Sequence, residues 1–200
     1  AFNKKHFLRG FYDPSKKTII IEDKIFEISF EGFHNASNFM FAYAVAKEFS
    51  IDFEYLNKFE FASLEGRNRI VKSGKTTIFD ESYNASPESV KACIETLIQR
   101  PNNLFIILGS MKELGKKTIQ YHEEIFDLIN KSRIEKCLFI CDERKEIYFL
   151  EKLKDKKKFI FLNNIKNVPE TINKITKKGD SILVKGSRTW HLEKIIRLID

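Results

Sequence analysis

Residues 103–115 read NLFIILGSMKELG, a short apolar run that ends in a polar loop with two glycines. A continuous apolar run of this length predicts a strand buried on both faces, as in a parallel sheet covered by helices. Residues 87–99, with Pro87 in the first turn and Ser86 as cap, are predicted to form a helix before this strand. Residues 118–131 are predicted to form the helix after it. The pattern therefore predicts a strand between two helices, the repeating unit of an α/β sheet.

The same alternation continues to the end of the chain. Three more apolar runs predict strands: KCLFIC (136–141), KFIFLN (158–163) and SILVKG (181–186). Helices are predicted between and after them, at residues 143–153, 169–177 and 190–199. Repeated strand–helix units imply right-handed crossovers. The predicted fold class is therefore α/β, a Rossmann-like three-layer domain with a mostly parallel sheet.

The first 54 residues do not follow this rhythm. Residues 17–30 (KTIIIEDKIFEISF) predict two strands, and residues 34–50 predict a helix with Phe39, Tyr43, Ala46 and Phe49 on one face. A shorter helix is predicted at residues 52–61. We interpret residues 1–54 as the tail of a different α/β domain and residues 55–200 as the Rossmann-like domain.

The tripeptide Gly74-Lys75-Thr76 resembles the end of a phosphate-binding loop. Such a loop needs a glycine five residues before Gly74, but that position is Arg69, and the residues after Thr76 are β-like, not helical. Without a helix N-terminus there is no cluster of free N–H groups for phosphate. The segment instead predicts a hairpin turn between the strands RIVKSG and KTTIFD.

Composition argues against several classes of protein without excluding all of them. The net charge of +7 favours anionic partners, but no basic stretch interleaved with aromatic residues predicts nucleic-acid binding. Three cysteines do not suggest a disulfide framework, and Cys137 and Cys141 are interpreted as core residues. No apolar run is long enough for membrane insertion, so a cytoplasmic location is expected. The chain begins with Ala1, and we expect it to be a piece of a longer protein.

Three predicted strand ends carry polar residues, at 80–87 (DESYNASP), 108–115 (LGSMKELG) and 184–188 (VKGSR). Ligands of open α/β sheets bind at the carboxyl ends of strands. Arg188 suits a carboxylate ligand because its guanidinium can bind in a bidentate manner. Two of the segments have a structural alternative: helix capping for 80–87 and a flexible loop for 108–115. Asn35 and Asn38, three apart at a helix start, could likewise bind an adenine or cap the helix.

Taken together, these segments resemble the Mur ligases of peptidoglycan synthesis. The matching motifs are HNASN (34–38), EGR (65–67), DESYNASP (80–87), LGSMKELG (108–115) and VKGSR (184–188). Two positions depart from the family pattern, Glu81 where the family has Asp and Ser86 where it has Asn. The true phosphate loop and the magnesium ligands of the family's central domain are not in this sequence.

The resemblance implies an ATP-dependent ligase that joins D-Ala-D-Ala to a UDP-MurNAc-tripeptide through an acyl phosphate. It places Asn35, Asn38, Arg67, Asp80 and Glu81 at the nucleotide. It places Tyr83, Asn84, Ser187, Arg188 and Thr189 at the D-Ala-D-Ala site. ATP and Mg²⁺ would be bound mainly by the missing domain, so no catalytic or metal-binding residue is assigned here, and the chain alone is expected to be inactive.

Three other functions remain open from the sequence. A ligase of the folylpolyglutamate synthetase type would share the domain plan but would add glutamate. A non-catalytic, nucleotide-binding Rossmann module is the second alternative, although the chain has no Gly-x-Gly-x-x-Gly motif. A basic protein that binds RNA or DNA is the third, and its binding would depend strongly on salt.

Overall fold

The computed structural model describes residues 8–51, 65–142 and 157–199. The chain divides into two compact units, residues 1–62 and 63–200. The predicted boundary at residues 54 and 55 lies outside the described residues, as do the predicted helices at 52–61 and 143–153.

The first unit is a small antiparallel sheet with one helix. Its strands are β1 (Gly10–Asp13), β2 (Thr18–Ile21) and β3 (Lys24–Glu27), in that order across the sheet, and α1 spans Phe33–Glu48. The sequence predicted β2, β3 and α1 but missed β1, whose residues GFYD include a glycine and an aspartate, which are typical of turns. The core of this unit consists of Tyr12, Ile19, Ile21, Phe26, Ile28, Ala36, Phe39 and Tyr43.

One prediction for α1 was wrong. Phe39 and Tyr43 are buried as expected, but Phe49 is 73% exposed. The helix ends at Glu48, so Phe49 no longer follows the helical periodicity that would have placed it over the core.

The second unit contains the predicted parallel sheet. Among the described residues its strands are β4 (Arg69–Ser73), β5 (Thr76–Glu81), β6 (Leu104–Gly109), β7 (Lys136–Ile140), β8 (Phe159–Leu162) and β9 (Ser181–Lys185). Their order across the sheet is β4-β5-β9-β6-β7-β8. Of these described strands, only β4 runs antiparallel, paired with β5 as the predicted hairpin. The last strand of the chain, β9, is therefore inserted between β5 and β6.

Helices cover the two faces of this sheet. They are α2 (Pro87–Leu97), α3 (Thr118–Lys131), α4 (Val168–Ile175) and α5 (Glu193–Ile196). All residues of β6 and of β9 are buried, which is why these strands appear as unbroken apolar runs in the sequence. One core forms against α2 and α3, and the other against α4 and α5.

The ends of two helices test the local predictions. Ser86 caps α2 with its side chain and Pro87 occupies the first turn, as predicted. In addition, Ser89 completes a reciprocal capping box, which the sequence analysis did not predict. The predicted helix at 190–199 is instead a 3-10 turn at Arg188–Trp190 followed by the four-residue α5. His191 adopts a left-handed conformation (φ 50°) between them, which no helix continues through.

The described residues contain no helix that is long and apolar enough to cross a membrane.

Candidate functional site

The strand order gathers three polar loops at one edge of the sheet. The carboxyl ends of β5, β9 and β6 are adjacent, with Glu81 opposite Lys185 and Leu108 opposite Lys185 in the strand registers. The loops that follow are residues 82–86, 186–190 and 109–115. Ligands of open parallel sheets bind at such an edge. We therefore describe these three loops as one candidate site.

Asp80 holds the backbone at the start of the first loop, residues 82–86. Its side chain is fully buried. One carboxylate oxygen accepts hydrogen bonds from the backbone N–H (3.1 Å) and hydroxyl (2.6 Å) of Ser82. The other accepts the backbone N–H of Gly66 at 3.2 Å. Both oxygens thus hold the backbone around the site, and Asp80 joins the segment that carries Arg67 to the loop that carries Tyr83.

Gly66 is required where these two segments meet. Its φ of 78° lies in the left-handed region, and a Cβ atom there would be 2.7 Å from the backbone nitrogen of Tyr83. The backbone N–H of Tyr83 donates to the Gly66 carbonyl at 3.0 Å. The close approach of the two backbones places Arg67 beside Tyr83.

Glu81 and Lys185 lie opposite each other at the carboxyl ends of β5 and β9, at the base of the site. Lys185 is 4% exposed, and its ammonium donates to the carbonyl oxygen of Asn84 at 3.0 Å. Burial raises the pKa of Glu81, and this effect outweighs the opposing influence of Lys185, of the Asn68 N–H and of Arg67. The backbone N–H of Asn68 donates to the Glu81 carboxylate at 3.1 Å. Glu81 on β5 is thus partly buried, and the buried Lys185 lies opposite it on β9.

Tyr83 is contacted by two guanidinium groups. It is 42% exposed, and the Arg67 guanidinium carbon lies 3.9 Å from the centre of its ring. The Arg188 guanidinium carbon lies 5.5 Å from the same centre. Both distances are within the range of cation–π attraction, about 6 Å. Arg67 and Arg188 are more than a hundred positions apart in sequence, and the fold brings both to one aromatic ring at the surface.

Glu193 also contacts Arg188. Its carboxylate Oε2 lies 3.4 Å from Arg188 Nη1, and its Oε1 lies 3.4 Å from His191 Nδ1. The Arg188 side chain remains 52% exposed and Glu193 only 13% exposed. Arg188 is therefore near both an aromatic ring and a shielded carboxylate while half of its surface faces solvent.

The other residues predicted for the D-Ala-D-Ala site lie in the same two loops, 82–86 and 186–190. Ser187 is 6% exposed, and its hydroxyl accepts from Thr189 Oγ1 at 3.4 Å. Asn84 is exposed, and its side-chain oxygen accepts the N–H of Ala85 at 2.9 Å. The structure therefore brings Tyr83, Asn84, Ser187, Arg188 and Thr189 to the same edge of the sheet.

The third loop is held in place by tertiary contacts. The indole N–H of Trp190 donates to the Ser110 carbonyl at 3.0 Å. The Ser110 N–H donates to the Ile140 carbonyl at 2.8 Å. The buried ring of His122 accepts the N–H of Met111 at 3.0 Å through Nε2. The hydroxyl of Ser110 is buried without a hydrogen-bond partner among the described residues. These contacts disfavour the flexible-loop interpretation of the start of this segment.

Gly109 and Gly186 allow the second and third loops to approach each other. A Cβ on Gly109 would be 2.6 Å from Trp190 Cδ1, and a Cβ on Gly186 would be 3.0 Å from the Gly109 Cα. Only glycine fits at both positions without displacement of a neighbour. The two loops therefore form one continuous surface around Trp190.

Asn35 and Asn38 lie in the first unit, near the start of α1. The side-chain amide of Asn35 donates to the Glu31 carbonyl at 2.7 Å, and Asn38 is exposed. The N-cap of α1 is Gly32 and the helix has no side-chain cap hydrogen bond, so the capping interpretation is wrong for Asn35. Their assignment to an adenine stays a prediction.

Sequence reasoning missed four residues that shape the site. Lys185 was part of a quoted motif, but its burial follows from the central position of β9. His122 and Glu193 were hidden inside helical segments, and Trp190 was assigned to a helix. A charged or polar residue at the end of an unbroken apolar run, such as Lys185, is the one signal that the sequence offered.

The buried cysteines take no part in this chemistry. Burial raises the pKa of the Cys93 thiol to about 12, and it raises that of Cys137 as well. Thiols with raised pKa values are poor nucleophiles and poor metal ligands. Within the described ranges, moreover, no group of three or more His, Cys, Asp or Glu side chains could hold a metal ion.

The fold and the site define an α/β domain with a mostly parallel sheet, whose polar loops bring two guanidinium groups to one aromatic ring. Comparison with known proteins is consistent with this class. Residues 66–188 match the family described as Mur ligase, glutamate ligase domain. The chain belongs to the Mur ligase family.

Two relatives are UDP-N-acetylmuramoyl-tripeptide–D-alanyl-D-alanine ligases. The one from Rickettsia prowazekii is 36% identical over 156 residues, which are 76% of this chain and 33% of that relative. The one from Buchnera aphidicola is 30% identical over 177 residues, 84% of this chain and 37% of the relative. The chain thus spans about a third of the length of these relatives.

A solved structure shares the fold. It is a MurF ligase from Thermotoga maritima in complex with ADP, with a TM-score of 0.74 and 24% sequence identity. The match covers 96% of this chain and 45% of that one. The likeness confirms the predicted fold class.

Proposed function

We propose that this chain is the C-terminal part of an ATP-dependent ligase that joins D-Ala-D-Ala to a UDP-MurNAc-tripeptide. The observation that carries the proposal is the arrangement of Arg67, Tyr83 and Arg188 at the carboxyl edge of the sheet. D-Ala-D-Ala is a small ligand with a free carboxylate and a nucleophilic amine. The relatives named above carry out this reaction according to their names.

The chemistry requires an activated acid. A carboxylate is a poor electrophile, and phosphorylation by ATP turns one of its oxygens into a leaving group and releases ADP. The amine of D-Ala-D-Ala then attacks the acyl carbon, and the resulting tetrahedral intermediate expels inorganic phosphate to leave the amide. Mg²⁺ would neutralise charge on the transferring phosphoryl group. We place its ligands outside the described residues of this chain.

The part played by this chain is binding and orientation of the dipeptide. Arg188 is half exposed, and a guanidinium has five N–H donors, more than its contact with Glu193 uses. It can therefore bind the dipeptide's carboxylate while Tyr83 and Ser187 contact the rest of the molecule. Correct placement of the amine accounts for much of the rate of such reactions, because it replaces an encounter between two molecules.

For the nucleotide we propose roles for Arg67 and Glu81, and for Asn35 and Asn38 on the first unit. Arg67 would meet a phosphate and Glu81 a ribose hydroxyl. Asp80 has both oxygens occupied by Gly66 and Ser82, so its role at the nucleotide would be to hold Arg67 and Glu81 in place. A cytoplasmic location would give the enzyme access to ATP.

The proposal can be tested on the 200-residue chain by titration with D-Ala-D-Ala while the ¹⁵N-labelled backbone is observed by NMR. We expect shifts at residues 83–84 and 186–189. Arg188→Ala should weaken binding roughly 10-fold to 100-fold, because a hydrogen bond to a charged group contributes about 1.5–3 kcal/mol. Arg197→Ala is the matched control, since Arg197 is exposed in the same unit but outside the site.

Two further ligands sharpen the result. D-Ala-D-Ala with a C-terminal carboxamide lacks the charge that Arg188 would bind, so its affinity should be lower and unaffected by Arg188→Ala. L-Glutamate tests the folylpolyglutamate synthetase alternative, which predicts stronger shifts with glutamate than with the dipeptide. Equal binding of the acid and the carboxamide would contradict the proposed role of Arg188. The chain alone should show no ligase activity.

A further inference from the structure

Glu193 is a carboxylate that is largely shielded from solvent. It begins α5, and its side chain is only 13% exposed although the two side chains beside it, Arg188 and His191, are each about half exposed. Its Oε2 atom is buried and accepts no hydrogen bond from the described residues. That oxygen forms an ion pair with Arg188 Nη1 at 3.4 Å. A shielded carboxylate is costly unless a cation compensates it.

The backbone is shaped to bring Glu193 back toward Arg188. The 3-10 turn at Arg188–Trp190 is closed by the N–H of His191, which donates to the Arg188 carbonyl at 3.1 Å. His191 then adopts φ 50°, a conformation that is uncommon for a residue other than glycine. Trp190 fixes the turn to the neighbouring loop through its hydrogen bond to the Ser110 carbonyl. The reversal places residue 193 beside residue 188.

We propose that Glu193 is a positioning residue that orients the Arg188 guanidinium for the carboxylate of the incoming dipeptide. The inference rests on the proposed function. Arg188 contacts both Tyr83 and Glu193, so two contacts restrict a long side chain that would otherwise sample many rotamers. A guanidinium that is already oriented loses less entropy when a ligand binds.

A competing effect has the opposite sign. The charge of Glu193 repels a carboxylate ligand, so its removal would strengthen binding if repulsion were the main effect. The positioning role predicts weaker binding instead. Glu193→Gln keeps the shape and removes the charge, and Glu193→Ala removes both, so the pair of variants separates the two effects.

The first experiment needs no ligand. The Nε–Hε signal of Arg188 in the 200-residue chain reports how firmly the guanidinium is held, through its chemical shift and its exchange with water. We expect Glu193→Ala to accelerate this exchange several-fold. Glu170→Ala is the matched control, because Glu170 is an exposed, lysine-paired glutamate in the same unit. An Arg188 signal that is the same in Glu193→Ala as in the wild type would overturn the inference.

The second experiment measures affinity for D-Ala-D-Ala by NMR titration. Glu193→Ala should raise the dissociation constant roughly fivefold to twentyfold, and Glu193→Gln should raise it less, in line with typical coupling between contacting residues. The effect should vanish with the dipeptide carboxamide and in the Arg188→Ala background. A merely structural role would weaken the acid and the carboxamide alike, and tighter binding by Glu193→Gln would favour repulsion; either result would overturn the proposal.

Failure of the proposed dipeptide site can be distinguished from failure of the positioning role of Glu193. If Arg188→Ala leaves the affinity for D-Ala-D-Ala unchanged, the proposed dipeptide site is wrong. If Arg188→Ala weakens binding and Glu193→Ala does not, the dipeptide site stands and only the positioning role of Glu193 is refuted.

Discussion

Replacement of Asp80 by asparagine should destabilise the second unit without a change in side-chain volume. The carboxylate accepts three hydrogen bonds, one from Gly66 and two from Ser82. Asparagine has one acceptor oxygen and one donor nitrogen at the same positions. If its oxygen keeps the contacts with Ser82, its amide nitrogen faces the N–H of Gly66, donor against donor.

The magnitude follows from these contacts. One charge-assisted hydrogen bond is lost and one buried N–H is left unsatisfied, which together cost about 2–3 kcal/mol. With a urea dependence of about 2 kcal/mol per molar, the midpoint of unfolding should fall by roughly 1 M. The same change should loosen Arg67 over Tyr83, because Gly66 precedes Arg67 in the chain.

Urea titration at pH 7, followed by tryptophan fluorescence, measures this effect. Trp190 is the one tryptophan of the sequence and lies in the second unit, so its signal reports the unit that contains Asp80. Asp142→Asn is the control: Asp142 is half exposed and paired with Lys112, and exposed ion pairs contribute about 0–1 kcal/mol. A loss at Asp80→Asn no larger than in this control would refute the anchoring role of Asp80.

Three further predictions concern neighbouring parts of the site. Burial raises the pKa of Glu81 above its ordinary value near 4.5, so the folded state binds this proton more tightly than the unfolded chain does. The stability of the fold that this proton contributes is therefore lost as pH rises through the raised pKa. Glu81→Gln should therefore gain stability relative to wild type from pH 4.5 upward in urea titrations, and a constant difference would contradict this. Gly109→Ala should displace Trp190, shift its emission and cost about 1–3 kcal/mol; an unchanged spectrum would argue against the contact. His122→Leu should leave the Met111 N–H without its acceptor, cost about 1–3 kcal/mol and accelerate hydrogen exchange of that amide, whereas unaltered exchange would show that His122 does not hold the loop.

Local signals predicted the elements well where neighbours in sequence are also neighbours in space. The helix cap at Ser86, the hairpin turn at Gly74 and the unbroken apolar strands all depend on contacts within a few residues. The helix at 190–199 was predicted wrongly because its apolar residues follow the helical period while the tertiary contact of Trp190 with the Ser110 carbonyl favours a tighter turn.

The candidate site was predicted as a set of segments, and its geometry was not. The polar residues at 80–87 and 184–188 marked two strand ends, and both lie at the site. Their sequence gave no sign that Asp80 faces inward or that Lys185 is buried. Whether a polar residue at a strand end faces a ligand or holds the backbone depends on the adjacent strand, which local patterns do not specify.

By itself, then, the sequence determined an α/β fold with a parallel sheet, the turns and caps of its elements, and the motifs that identify its family. The tertiary structure decided that β9 lies between β5 and β6. That order alone places Arg188 against Tyr83 and Lys185 beside Glu81, about a hundred residues away in sequence. The physical reason is that hydrophobic periodicity fixes which face of an element is buried, whereas strand order follows from how all the buried faces pack together.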